Sequence, residues 1–288
     1  MLTSSARLSP RTHRAAGTAR ARRAHPAPYA ALPAALLLAC AGLTACSDGD
    51  GDGGAVGGDV AELHGEVLAE HPWDASSFTQ GLEVMPEGDL LVSTGLEGRS
   101  RAYRAPVDGG RATADVQLPD DWFGEGITRH DDTVWQLTWH NGIAAKRDAT
   151  TLAQTGEARY DGEGWGLCSN GERLVMSDGS DRLTFRDPST FAETGHVDVT
   201  LDGKPVDQLN ELDCSGGVVW ANLWQSDRIV RINTATGAVT GVLDIDLPAG
   251  DRPGADVLNG IAAVPGTTDR FYLTGKLWDT LYEVRISG

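Results

Sequence analysis

Between residues 79 and 263 the chain returns five times to one phrase: TQGLEV (79–84), GEGITR (124–129), GWGLCS (164–169), LNELDC (209–214) and LNGIAA (258–263). The aliphatic residues that anchor these phrases, Leu82, Ile127, Leu167, Leu212 and Ile261, stand 45, 40, 45 and 49 residues apart. Each phrase leads into a strand-like run (DLLVSTG, TVWQLTW, RLVMSDG, VVWANLW and RFYLTGK). Each unit then closes on an arginine: Arg104, Arg147, Arg186, Arg231 and Arg285. Such a period dictates a repeat architecture, because one unit cannot bury its apolar face without the next. Val, Thr, Leu and aromatic residues alternate with polar ones, and PEGD, SNGE, SGG and TATG mark turns, so the units are built of strands. Units of 40–49 residues holding several short strands predict an all-β, five-bladed β-propeller over residues 61–288. The last unit offers only three strands (258–263, 270–275 and 280–286). The segment ELHGEVLAE (62–70) is available as the fourth, an N-terminal strand joining the last blade and closing the ring. Closure removes the sheet edges that otherwise invite aggregation.

The first 45 residues have another character. Residues 1–27 carry six arginines and no acid, and an Ala- and Leu-rich stretch from Ala30 to Ala39 runs on to LTAC, ending at Cys46. A basic start, a short apolar run and small residues before a cut describe an export signal over 1–45, since the apolar run is too short to span a bilayer. Leu-Thr-Ala-Cys resembles a bacterial lipobox, with Cys46 as the lipidated residue. The Gly- and Asp-rich stretch 46–60 then reads as a flexible tether. The expectation is an extracytoplasmic, monomeric protein that meets the membrane only through a lipid anchor, or is secreted outright. Without residues 1–45 the formal net charge falls from −17 to −23. A chain so acidic is unsuited to nucleic acid, whose phosphates demand clustered Lys and Arg. Cys168 and Cys214 remain besides Cys46, in neighbouring units, and in an exported protein they are the candidates for a disulfide.

The glycines of the repeated phrase have a structural reading: on innermost strands they let units approach closely. The residues that share one slot beside those glycines differ: Gln80, Glu125, Trp165, Asn210 and Asn259. Equivalent positions on five inner strands converge on one end of the axis, where a carboxyl, several amides and an indole would form a polar, aromatic-walled pocket. The phrase DGEGWGL (161–167) echoes the Gly-Glu-Gly of 124–126, but its slot residue is Trp165, and Glu163 reads as a solvated surface charge. Trp135 and Trp220 are assigned to packing. Trp139 and Trp224 end their strands four residues later, toward the mouth.

Taken together, FTQGL, FGEGIT, GEGWGL, LNEL with VWANLWQSDRIVRI, and LNGIA with FYLTGKLW resemble the plant-type glutaminyl-peptide cyclotransferases over about residues 70–285. The resemblance implies a five-bladed propeller that closes an N-terminal glutaminyl residue of a peptide or protein into 5-oxoproline and releases ammonia. It implies Glu125 as the proton-shuttling acid/base, and Gln80 and Lys276 as candidates for polarising the γ-carbonyl. Asn210 would be a substrate ligand, and Phe78, Trp139, Trp165 and Trp224 the pocket walls. Lys276 has a second reading, as an ion-pair partner of Glu125. No cofactor is required by this chemistry, and a structural calcium ion among the Asp-rich loops stays open. The chain departs from the family pattern at HPWDASS (71–77) and at Asp213-Cys214.

Other classes fit less well. A non-catalytic propeller lipoprotein that captures peptides or sugars would keep the aromatic walls but could dispense with Glu125 and Lys276. A calcium-dependent lactonase of the six-bladed kind conflicts with five units. Zinc and serine hydrolases find no His-Glu-x-x-His, Cys-x-x-Cys or Gly-x-Ser-x-Gly, and the seven histidines are scattered.

Overall fold

The computed structural model describes residues 60–288; the expected export signal (1–45), Cys46 and the tether up to residue 59 lie outside the described residues. The described chain is all-β, apart from one 3-10 turn at Pro248–Asp251. After β1 (Ala61–Pro72), the first sheet runs β2 (Thr79–Val84), β3 (Leu90–Thr94), β4 (Arg101–Ala105), β5 (Ala114–Gln117). The second runs β6 (Gly124–His130), β7 (Thr133–Thr138), β8 (Ile143–Asp148), β9 (Gln154–Arg159). The third runs β10 (Leu167–Ser169), β11 (Leu174–Ser177), β12 (Arg182–Arg186), β13 (Glu193–Asp198). A small hairpin follows, β14 (Thr200–Leu201) with β15 (Lys204–Pro205), which the sequence pattern did not announce. Next come β16 (Leu209–Ser215), β17 (Val218–Leu223), β18 (Arg228–Ile232) and β19 (Val239–Asp244). The chain ends with β20 (Leu258–Ala263), β21 (Arg270–Gly275) and β22 (Thr280–Ser287).

These last seven strands share one eight-stranded sheet with β1, in the order β16-β17-β18-β19-β1-β22-β21-β20. The segment expected to complete the last unit lies in β1, which pairs antiparallel with β22 from His64↔Ser287 to Pro72↔Thr280. The parallel pairing of Ala61, Glu62 and Leu63 with Gly241, Val242 and Leu243 of β19 was not foreseen, and it is what fuses the fourth and fifth groups of strands.

The burial of the strands follows their rank within each group. The second strands β3 and β11 are buried throughout, whereas the fourth strands β9 and β13 alternate, every other residue facing solvent. That is the pattern of sheets covered on both faces near one edge and bare at the other. The core is accordingly a set of layers between neighbouring groups. Met85 and Leu91 pack with Ile127 and Val134, Leu137 with Leu167 and Met176, and Val175 with Leu212 and Val219. Trp220 and Ile229 pack with Ile261 and Phe271, and Leu82 and Val92 with Ala262 and Leu281, which returns from the fifth group to the first. The first strands likewise touch in a cycle: β2 meets β6, β6 meets β10, β10 meets β16, β16 meets β20, and β20 meets β2.

Candidate active site

The repeated phrase places its slot residues in a repeated distortion. The ladders β2–β3, β6–β7, β16–β17 and β20–β21 each lose register across the slot, between Thr79 and Gly81, Gly124 and Ile127, Leu209 and Leu212, and Leu258 and Ile261. A bulge releases residues from pairing and re-aims their side chains. The third unit achieves the same just ahead of β10, where Trp165 N–H donates to Ser177 O and Ser177 N–H to Gly166 O. The glycines beside the slot permit neighbouring backbones to meet. A Cβ on Gly126 would lie 2.5 Å from Leu167 N, and one on Gly166 would lie 2.1 Å from Asn210 O.

The bulges open onto a cavity of about 330 Å³. Gln80, Glu125, Asn210 and Lys276 line it together with Phe78, Trp139, Trp165 and Trp224, so the structure brings all eight pocket residues anticipated from the sequence to one place. Trp139 and Trp224 hold matching positions. Each donates its backbone N–H to the residue two before the slot of its unit, Phe123 O at 3.0 Å and Gln208 O at 2.9 Å. Trp135 and Trp220 lie instead in the layers between sheets. Phe123 also lines the cavity, and its position was signalled: it precedes Glu125 by two residues, as Phe78 precedes Gln80. Gln225, Asp256 and Val257 complete the lining from loops that carry no repeated landmark.

Glu125, only 5% exposed, accepts a hydrogen bond from Gln80 Nε2 at 3.0 Å. Gln80 is held in turn by Asn259, whose Nδ2 donates to Gln80 Oε1 at 2.9 Å and to Thr79 O at 3.0 Å. Asn259 thus fixes which end of the Gln80 amide faces Glu125, a role its place in the fifth slot did not disclose. Burial pushes the Glu125 carboxyl well above the usual carboxylate range. The nearby Lys276 ammonium opposes that shift and Glu163 adds to it. Lys276 is buried too, its proton affinity lowered by desolvation and partly restored by Glu125 and Asp256. Its Nζ lies 5.0 Å from the centre of the Phe78 ring. Lys276 and Glu125 share the cavity without a direct ion pair among the described residues, so the ion-pair reading of Lys276 gives way to that of two separate polar groups facing one space.

Glu163 is not the solvated charge that the sequence suggested. Although its side chain is 43% exposed, its Oε2 accepts the indole N–H of Trp139 at 2.8 Å and that of Trp165 at 2.9 Å. Burial pushes this carboxyl up, but the two indole donors and His140 outweigh it and hold the group below its ordinary value. Its position is two before the slot, the same as Phe78 and Phe123, which is the signal that could have found it.

Cys168 and Cys214 are joined by a disulfide with their Cα atoms 5.4 Å apart, linking β10 to β16. Among the described residues no group of three or more His, Cys, Asp or Glu is arranged to hold a metal ion. Several aspartates of the loops are spent on their own turns, as Asp148 is on Thr151 and Asp187 on Thr190.

A desolvated carboxyl and a desolvated ammonium around one aromatic-walled cavity, carried on an all-β scaffold, define a site for moving a proton on a small substrate group. The chain belongs to the glutamine cyclotransferase family, whose model matches residues 35–286. It is 36% identical over 228 residues to a glutaminyl-peptide cyclotransferase of Arabidopsis thaliana, covering 77% of this chain and 71% of that one. The crystal structure of Myxococcus xanthus glutaminyl cyclase is similar at a TM-score of 0.71 and 35% identity, over 80% of this chain and 99% of the other.

Proposed function

We infer that this protein is a glutaminyl-peptide cyclotransferase, converting N-terminal glutaminyl residues of peptides or proteins to 5-oxoproline with release of ammonia. The observation that carries the reading is Glu125, a buried carboxyl hydrogen-bonded to Gln80 in an aromatic-walled cavity that also holds Lys276 and Asn210. In this reaction the substrate's neutral α-amine attacks its own γ-carboxamide carbon. A C–N bond forms, the carbonyl oxygen takes up negative charge, and the attacking nitrogen becomes acidic. Glu125 takes that proton and returns it to the amide nitrogen, whose bond to carbon then breaks as ammonia leaves. Raising a carboxyl from its ordinary range moves it toward the ~7.7–8.0 of an α-amino group, so proton exchange between the two costs little. Lys276 and Asn210 are the donors for the developing oxyanion, and Gln80 keeps Glu125 in line. Phe78, Trp139, Trp165 and Trp224 exclude water and pack on the aliphatic stem.

The scaffold we infer is a five-bladed β-propeller, in which the eight-stranded sheet is two blades joined through β1. The cyclic contacts of the five first strands and the five layers of core between successive groups support it. We also propose that residues 61–288 form the catalytic unit, exported behind the signal of residues 1–45 and held to the bacterial membrane through Cys46 and its tether. The basic and apolar segments and the LTAC sequence support that part.

The test is incubation of the purified protein with a Gln-initiated peptide, following ammonia and the loss of its mass from the peptide. Absence of turnover by the wild-type chain would remove the reading.

A further inference from the structure

Phe78, Phe123 and Trp139 touch edge to face in series, their centroids 6.1 and 5.4 Å apart, and Trp165 meets Trp224 in the same way at 5.4 Å. These are two separate groups of rings around one cavity. What joins them is a single oxygen, Glu163 Oε2, which accepts N–H bonds from Trp139 in one group and Trp165 in the other. The second oxygen of Glu163 lies 3.5 Å from His140 Nδ1, and the His140 ring stacks on Trp139 with centroids 3.7 Å apart. We propose that Glu163 is a positioning residue for substrate binding: by holding both indoles it sets the shape of the wall on which the glutaminyl stem packs.

An indole has one donor and two torsions, so a tryptophan at a cavity rim stays mobile unless that donor is engaged. Ordering such a side chain on binding costs conformational entropy, which a ring already held in place does not lose. A carboxyl oxygen carries two acceptor lone pairs, so one oxygen can take both N–H groups and pre-order both rings. Glu163 does not line the cavity and touches no reacting atom, so its effect passes through the walls. Removing it acts on the binding of substrate more than on the chemical step. The inference rests on the cyclase reading above, and its test separates the two.

Glu163→Ala and Glu163→Gln are assayed with a Gln-initiated peptide for kcat and KM separately, and their indole N–H signals are recorded by NMR on isotope-labelled protein. Glu163→Ala is expected to raise KM about tenfold while kcat changes less than about threefold, the range for losing hydrogen bonds to a charged group. The Trp139 and Trp165 indole protons shift and exchange faster with solvent. Glu163→Gln keeps an acceptor oxygen for both indoles and so restores most of KM and both signals. Equal impairment of the two variants would overturn the proposal, since charge and not N–H anchoring would then be at work. So would a Glu163→Ala variant with unchanged KM and unmoved indole signals. If the wild-type chain turns nothing over, the cyclase reading fails, and the indole signals alone still decide whether Glu163 anchors the rings.

Discussion

Glu125 and Glu211 occupy first strands of the same scaffold, both buried, and burial pushes both carboxyls well above their ordinary range. Their partners differ. Glu211 accepts two backbone N–H bonds, from Leu82 at 3.1 Å and Ile261 at 2.8 Å, and so ties β16 to β2 and β20. Glu83 and Asp213 also accept bonds from a neighbouring group of strands. Glu83 accepts from Thr128 Oγ1 and Arg129 N–H, and Asp213 accepts from Ala263 N–H, each bond crossing from one group of strands to the next. Glu125 accepts from one side-chain amide and otherwise faces a cavity. Desolvation alone therefore does not mark a catalytic acid in this molecule. A carboxyl whose two oxygens each accept a main-chain N–H, as in Glu211, is a rivet, and one held by a single side-chain amide inside the aromatic-walled cavity can exchange its proton.

The largest expected break in this comparison is Glu125→Gln. The amide keeps an acceptor for Gln80 but cannot shuttle a proton, so kcat falls by about 10²–10⁴-fold. Thermal unfolding should show equal or greater stability, because a desolvated acid has become a neutral group. Glu211→Ala should do the reverse. Two buried N–H groups lose their acceptor, and denaturant unfolding should register a loss of about 2–4 kcal/mol. A catalytic collapse without destabilisation in that variant would erase the distinction.

Between these extremes stands Asn259→Ala, which frees the Gln80 amide to turn over. About tenfold in kcat/KM is expected from the lost hydrogen bond to Gln80, with about 1–3 kcal/mol of stability lost because Thr79 O is also left without its donor. The mildest probe is pH. Glu83 is raised from 4.5 to about 7 in the folded chain, first by burial. A group with a raised folded pKa binds its proton more tightly when folded. Its contribution to stability is full below about 4.5 and is lost as the pH rises through about 7. Glu83→Gln should flatten that decline in unfolding free energy across the window, while the same decline persisting in the variant would point to another group.

The repeat was legible because every layer between sheets needs the same landmarks, so the aliphatic residues from Leu82 to Ile261 had to recur. Slot counting located Glu125, Gln80 and Asn210 for the same reason: each sits in an equivalent bulge. Pairwise relations were not legible. Glu163 looked like any charge in a Gly-rich loop, because its indole partners lie 24 residues back and two ahead, and only folding brings them to one oxygen. Gln80 was legible as a residue of the site, but not that its amide bridges Asn259 and Glu125. The parallel pairing of Ala61–Leu63 on β19 left no trace either, since three residues of edge pairing carry no period of their own.

That pairing bears on how the chain is made. Among the described strands β1 is synthesised first and its long partner β22 last, with His64 meeting Ser287. β1 cannot pair along its length until β22 has been made, and closing so long a loop is a slow, entropically costly step. Until then the earlier groups of strands can assemble while the molecule stays open at one seam. A copy truncated even shortly before Thr280 would leave β1 clasped by three parallel pairs alone, without the antiparallel ladder that holds most of its length.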